Sequence, residues 1–436
     1  MENDNQYYDM DHMNREMQEH KNDSGASFVK GLFTGVISSL VVVLLVVGIY
    51  KVVNKEEQAS PDITVKVEES PAIEFEEDAI INLDLVKKLQ KLEKNIDRYF
   101  YLERKTTEEM REGIYKGFLN ALSDPYSEYY TKQELIDMEN SVAGIFYGIG
   151  AHVSLDKETS LPKISDVIDD SPALESGIRA DDLIYKIDGQ MTYGMTLNEA
   201  VSYIRGEEGT KVLLTIVREG ENDYLEIEVT RRKVESPTVK TEVMEDGIGY
   251  IQISEFDEVT PDQFADGLAT LRESGMKKMI LDLRGNPGGS LYAVVNIAKM
   301  MLPEGNIVYT EDKNGKKVEY KCDGDHKLDI PLIVLIDGNS ASASEILAGA
   351  IQDYGIGTLV GTTSFGKGIV QQIVDFRDGS AIKVTVSSYY TPNGRNIHGI
   401  GIEPDVEVKF DSAAYYDSET PVDNQLEKAK EMLKNE

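Results

Sequence analysis

The pattern of apolar and polar positions changes character several times along the chain, and each change predicts a different kind of element. Gly31 to Tyr50 is an uncharged run bounded by Lys30 and Lys51. At about 1.5 Å per residue it reaches roughly 30 Å, the thickness of a bilayer's hydrocarbon core. Its apolarity is continuous rather than confined to one stripe, which predicts a membrane-spanning helix over a buried soluble one. A long polar segment, 1–30, precedes the run and no small-x-small site follows it, so an uncleaved anchor is expected rather than a signal peptide. The flanking cations balance, with Arg15, Lys21 and Lys30 against Lys51, Lys55 and Lys66, and do not fix the orientation. The short tail 1–30 is expected on the cytoplasmic side and the large C-terminal part outside.

Residues 51–77, rich in Glu, Lys, Ser and Pro, read as a stalk. In 78–139, Leu85, Leu89, Leu92, Ile96 and Tyr99 recur at threes and fours, which predicts helix. Such a stripe serves core packing or pairs two chains. Residues 140–233 switch to strands and turns. Lys163 to Ile168 and Asp181 to Gly189 read as strands, and Leu197 to Arg205 as an amphipathic helix. Lys211 to Arg218 and Tyr224 to Arg231 read as a hairpin. From 234 to 410 strands and helices alternate. Gly247 to Ser254, Lys278 to Leu283, Leu332 to Asp337 and Gly357 to Gly361 are predicted strands; Pro261 to Ser274, Leu291 to Leu302 and Ser342 to Tyr354 are predicted helices. That alternation predicts a layered α/β domain. The segment 411–436 ends in a predicted helix, Asn424 to Leu433.

Composition narrows the chemistry. An apolar content of 41% over 436 residues supports two or three domains with real cores. A net charge of -33 leaves no basic face to neutralise phosphates, which argues against nucleic acid as a partner. Cys322 is the single cysteine, so an internal disulfide and a cysteine-based zinc site are excluded. The five histidines form no His-x-x-x-His pair. No metal or other cofactor is expected.

The candidate chemistry lies in Ser342 and Lys367. Ser342 sits among small residues just ahead of a helical run, and Lys367 lies between Gly366 and Gly368. A serine hydroxyl needs a base to become a useful nucleophile. Lysine serves only when neutral, and burial without a carboxylate partner lowers its pKa toward that state. The sequence neighbours of Lys367, from Phe365 to Val370, are uncharged. Free N–H groups at a helix start could stabilise an oxyanion. Each residue also has a plainer reading. Ser342-Ala-Ser-Glu345 fits a capping box, and serines ahead of helices commonly cap them. Gly361 to Lys367 fits most of a phosphate-binding loop, but Gly368 stands where the magnesium-binding hydroxyl belongs. Leu281 to Gly289 reads as a strand end running into a glycine-rich turn.

Taken in order, Asp124-Pro-Tyr-Ser-Glu-Tyr-Tyr-Thr131, Gly148-Ile-Gly150, Asp282-Leu-Arg-Gly-Asn-Pro-Gly-Gly289, Ser340-Ala-Ser-Ala-Ser-Glu345, Phe365-Gly-Lys-Gly368 and Gly399-Ile-Gly-Ile-Glu-Pro-Asp405 resemble the landmarks of the C-terminal processing peptidases, or tail-specific proteases. The resemblance covers about residues 78 to 410. It implies a layered α/β core of the crotonase/ClpP-like kind, an inserted PDZ domain and an N-terminal dimer-forming helical segment. It implies Ser342 as nucleophile, Lys367 as general base and Gln371 as the residue orienting the lysine. The N–H groups of Ala343 and of a glycine of the turn, Gly288 in preference to Gly289, would be the oxyanion donors, Ser340 and Ser344 would be bystanders, and Glu345 a capping partner. In the PDZ-like module, Tyr147, Gly148, Ile149 and Gly150 would hold a substrate's C-terminal carboxylate, with Ile149 lining the pocket. The expectation is a membrane-anchored homodimeric serine endopeptidase acting outside the cytoplasm on proteins with apolar C-terminal tails. The alternative is a catalytically inactive PDZ adaptor.

Overall fold

The computed structural model describes residues 79–416 and 421–435. The expected anchor, the tail before it and the stalk lie outside the described residues. Among those described, no helix is long and apolar enough to cross a membrane. The chain divides at residue 106 into two units.

In the first unit, the stripe predicted from Leu85 to Tyr99 lies on the helix Leu83–Tyr99. Asn82 caps it, its side chain accepting the Leu85 N–H at 3.0 Å. No residue of this helix is buried. Its apolar face therefore gains nothing from a core among the described residues.

The second unit begins with the helices Thr107–Asn120 and Lys132–Ala143, which flank the short strand β1, Glu128–Tyr130. Thr131 and Glu134 form a capping box at the start of the second helix, and Gly144 ends it at φ +68°, a left-handed conformation that suits glycine.

The PDZ-like module follows. Its stem pairs β2 (Ile145–Gly148) with β9 (Arg232–Glu235) antiparallel. Within that stem lie β3 (Ala151–Leu155), β4 (Pro162–Val167), β5 (Leu183–Ile187), β6 (Gln190–Met191), β7 (Lys211–Val217) and β8 (Leu225–Thr230). They form one sheet in the order β3-β4-β5-β7-β8, with β6 on β5. The alternating residues Val212, Leu214 and Ile216 turn inward onto Ile164, Ile184, Ile187 and Ala200, the last from the helix Leu197–Ile204. The predicted hairpin and helix are thus found within a residue or so of their expected bounds.

The remaining strands are β10 (Val239–Val243), β11 (Ile248–Ile253), β12 (Lys278–Asp282), β13 (Gly305–Asp312), β14 (Lys317–Cys322), β15 (Leu332–Ile336), β16 (Thr358–Gly361), β17 (Ile369–Asp375), β18 (Ala381–Tyr390) and β19 (Val406–Glu407). One sheet runs β10-β11-β12-β15-β16-β19. β10 is an antiparallel edge, and the pairs from β11 to β19 are parallel. Ile251, Met279, Leu281, Val334 and Leu359 face the helices Leu291–Lys299 and Ala343–Tyr354. Tyr250, Ile280, Ile333, Leu335 and Val360 face Ala429 and Leu433 of the helix Asn424–Lys434. Burial on both faces explains the continuous apolar runs of these strands. A second sheet joins β1, β18, β13 and β14, with β17 on β18.

Candidate active site

Three segments leave the carboxyl ends of the adjacent parallel strands β12, β15 and β16, the place where open α/β sheets put their ligands. After β15 comes Ser342, at the start of the helix Ala343–Tyr354. Its backbone has φ +53° and ψ -111°, a region that costs a non-glycine residue about 1–3 kcal/mol. Ser342 and Glu345 form the capping box that the sequence predicted. Its firm half is Glu345, whose Oε2 accepts the Ser342 N–H at 2.8 Å. The serine hydroxyl donates no hydrogen bond among the described residues, so its proton is free. Those of its neighbours are not: Ser340 Oγ donates to the Leu283 carbonyl at 2.8 Å, and Ser344 Oγ to the Asn286 carbonyl at 3.0 Å.

After β12 the glycine-rich turn closes against the serine. Gly288, at φ +105°, lies so near that a Cβ there would sit 2.7 Å from the Ala341 carbonyl oxygen and 2.8 Å from Ser342 Cβ. Gly288 was expected to aim its N–H at an oxyanion. That N–H instead donates to Asn286 Oδ1 at 2.8 Å, because the Asn286 side chain folds back under the turn. The N–H groups of Gly289 and Ala343 make no hydrogen bond among the described residues. The Ala343 N–H is thus unspent, and Gly289, not Gly288, is the glycine of the turn with a free donor.

After β16 comes Lys367. No hydrogen bond joins its Nζ to Ser342 Oγ, and it has no ion pair among the described residues. The ammonium lies 4.5 Å from the centroid of the Tyr126 ring. Burial, helped by the Lys383 ammonium, moves Lys367 below the ordinary lysine value. Asp124, Glu128 and Glu345 pull in the other direction. The uncharged surroundings expected from the sequence are therefore corrected: local neighbours are apolar, but the fold brings three carboxylates into range. Gln371 was expected to orient the lysine. Its Nε2 donates to Thr385 Oγ1 at 3.1 Å, held there by the β17–β18 pairing that sets Gln371 opposite Thr385.

Sequence reasoning gave Glu345 too small a part. Fully buried, it accepts the Ser342 N–H, the Lys367 N–H at 2.8 Å, the Gly366 N–H at 2.7 Å and Ser364 Oγ at 2.6 Å. One carboxylate thus ties the backbones of both candidate residues. Tyr389 adds a second tie, its hydroxyl donating to the Ser342 carbonyl at 3.0 Å. Burial and Glu345 hold that phenol well above its usual pKa, so it stays a donor.

Residues 247–408 match peptidase family S41, and residues 163–218 match the PDZ domain. A carboxy-terminal-processing protease of Bartonella bacilliformis is 41% identical over 308 residues, covering 68% of this chain and 69% of that one. Carboxy-terminal processing protease CtpB of Bacillus subtilis is 37% identical over 366 residues, covering 83% of this chain and 74% of that one. CtpA of the same organism is 36% identical over 311 residues, covering 71% of this chain and 66% of that one. The chain belongs to peptidase family S41. Among these relatives it is matched over about two thirds to three quarters of their length.

The PDZ domain of this S41 chain places its loop differently from expectation in one respect. Ile149 does not line an open pocket; it is 2% exposed and packs in the domain core with Ile164 and Ala173. Tyr147 and Gly148 belong to the stem strand β2. Gly150, at φ +79°, turns the chain from the stem into the edge strand β3. The carbonyls of Ile149 and Gly150 accept from Ala173 and Ile168, while their N–H groups have no partner among the described residues. The helix beside β3, Leu197–Ile204, is fastened at its end by buried Arg231, which donates to the Ile204 and Tyr203 carbonyls at 2.8 Å each.

Proposed function

We propose that this chain is a membrane-anchored serine endopeptidase that takes protein C-terminal tails on its PDZ domain and cleaves through an acyl-enzyme. The observation that carries the reading is Glu345: one buried carboxylate binds the backbones of Ser342 and Lys367, beside a glycine turn with an unspent N–H. In the reaction, neutral Lys367 takes the Ser342 hydroxyl proton as Oγ bonds to the scissile carbonyl carbon. The Ala343 N–H and a glycine N–H of the turn hold the oxyanion. Collapse breaks the C–N bond, and the lysine ammonium gives its proton to the departing amine. Water then repeats the sequence on the ester. Gln371 orients the lysine once released from Thr385.

A tail adding as a strand along β3 would place its carboxylate on the free N–H groups of Ile149 and Gly150. The apolar run 31–50 supports a single membrane anchor; the proposal puts the short tail 1–30 in the cytoplasm and the catalytic part outside it. The unburied apolar face of the helix Leu83–Tyr99 supports pairing of two chains.

The test is incubation of the purified chain with an unfolded protein such as β-casein. Wild type should give fragments; Ser342→Ala and Lys367→Ala should give none. Lys367→Arg should also be inactive, because a guanidinium stays protonated. Cleavage surviving in that variant overturns the general-base role. A non-catalytic PDZ adaptor is the second reading. The lack of a hydrogen bond between Lys367 and Ser342 favours it, and absence of fragments from wild type under all conditions would support it.

A further inference from the structure

Tyr126 lies far from the serine and lysine in sequence, yet its ring face meets the lysine charge, 4.5 Å from Nζ to ring centroid. The ring is held in place by Asp124. Asp124 Oδ1 accepts the Tyr126 N–H at 3.1 Å, and Oδ2 accepts Ser127 Oγ at 2.6 Å and Thr385 Oγ1 at 2.7 Å. Ser127 Oγ in turn accepts the Thr385 N–H at 3.2 Å. The pairing Glu128↔Lys383 then carries the segment into β1 against β18. The same Thr385 hydroxyl accepts from Gln371. One cluster therefore sets the ring under Lys367 and holds Gln371 aside.

The charged groups around the ammonium are Lys383 on β18, Asp124 and Glu128 from the segment carrying the ring, and Glu345 from the helix that Ser342 starts. His398 acts electrostatically on Asp124. None of them forms a direct ion pair with Lys367 among the described residues. A ring face attracts an ammonium through its quadrupole and gives a neutral amine almost nothing.

We propose that Tyr126 is a positioning residue for Lys367: its ring is the resting place of the protonated side chain, which the lysine leaves for Ser342 when it loses its proton. The ring stabilises the charged form alone, so it also sets the pH at which the base becomes available. The proposal rests on Lys367 being the base. Its own prediction concerns the amine's titration, which is read separately from cleavage.

The experiment uses the full-length chain carrying Ser342→Ala, with isotope-labelled lysine, and follows the Lys367 side-chain resonance against pH. Lys367→Arg supplies the assignment. Tyr126→Phe should titrate with wild type. Tyr126→Leu should titrate lower by about half to one and a half pH units, the span of a cation–π contact at a partly buried site. Where Tyr126→Leu folds poorly, a trifluorinated phenylalanine at position 126 keeps the shape and drains charge from the ring face. It should also lower the titration relative to Tyr126→Phe. In the active chain, the rising limb of kcat/KM against pH should move by the same amount. An unchanged or raised titration in both Tyr126→Leu and the fluorinated variant overturns the proposal, whatever the cleavage assay shows. A Lys367→Ala chain that still cleaves would overturn the base assignment instead.

Discussion

The two halves of the proposed active site, one for the nucleophile and one for the base, are built in opposite ways. The nucleophile half is part of the core. Ser342 is pinned by Glu345, Gly288 and Tyr389, and flanked by two serines whose hydroxyls are bonded into the strand ends. The base half sits on the edge of the second sheet. Phe365, two residues before Lys367, is 56% exposed, and β17 shows Ile373 and Val374 to solvent. Its position comes from the segment Asp124–Tyr130, which reaches it only through the tertiary fold. A site divided this way can shift its base while its nucleophile stays fixed. The Lys367 ammonium over the Tyr126 ring and the Gln371–Thr385 hydrogen bond are the conformation such a division permits.

The largest effect should come from Glu345, the group common to both halves. Glu345→Ala leaves the buried Gly366 N–H, the partly buried N–H groups of Ser342 and Lys367, and the Ser364 hydroxyl without their acceptor. Stability should fall by roughly 3–5 kcal/mol and cleavage by on the order of 100-fold or more. Chemical denaturation and the casein assay measure the two. A variant of normal stability and activity would break the claim that one carboxylate joins the halves. Gly288→Ala should come next and strike the nucleophile half alone. A Cβ at φ +105° collides with the backbone at Ala341 and with Ser342 Cβ, costing roughly 2–3 kcal/mol of strain. Activity should fall, while the Lys367 titration stays at its wild-type pH. A shifted titration would show that the halves are not independent.

What the sequence showed follows the same division. The parallel strands were legible because both their faces are buried, so β11, β12, β15 and β16 lie inside the expected apolar runs. Ser342, Gly288 and Lys367 were legible as turns after those strands. The second sheet was mostly not. Lys317-Val-Glu-Tyr-Lys-Cys322 is a strand whose charged residues face solvent, and no long apolar run marks it. Asp124 and Tyr126 were visible as part of a landmark, but their meeting with Thr385 and Lys367 was beyond reach for a different reason. Those contacts join positions far apart in the chain, and no local period encodes such a meeting. Glu345 was visible as a capping residue. Its bonds to Gly366 and Lys367 exist only once β16 lies beside β15.

The third effect tests how the nucleophile half connects to the PDZ stem. Residues 255–258 lie between them. Phe256 donates its N–H to the Gly288 carbonyl at 2.8 Å, and the Glu258 N–H reaches the Val142 carbonyl at 2.9 Å, next to Gly144 and the stem. Asp257, between these contacts, is pushed up to about 7 by burial and then by Glu255. Its folded-state pKa exceeds the unfolded value of about 4, so folding binds a proton. Stability from this group is complete below about pH 4 and is lost as pH rises toward 7. Asp257→Asn should therefore match wild type near pH 4 and exceed it by on the order of 2–3 kcal/mol at pH 8. Thermal unfolding at the two pH values decides. An equal difference at both would show that Asp257 is not protonated by its site.

The smallest effect has the most telling sign. Thr385→Val removes one donor to Asp124 and one acceptor from Gln371, both at the protein surface, and should cost only about 1 kcal/mol. If Gln371 is merely structural, cleavage should fall slightly or not at all. If Gln371 must leave Thr385 to orient the lysine, the variant starts closer to the working arrangement. Its kcat/KM should then rise roughly 2- to 5-fold, since a competent state that is seldom populated gains most from loss of its competitor. Gln371→Ala should fall in the same assay, and the double variant should resemble Gln371→Ala, because the gain from losing the Thr385 hydroxyl runs through that amide. A double variant that keeps the gain would separate the two residues and leave the base half without its proposed catch.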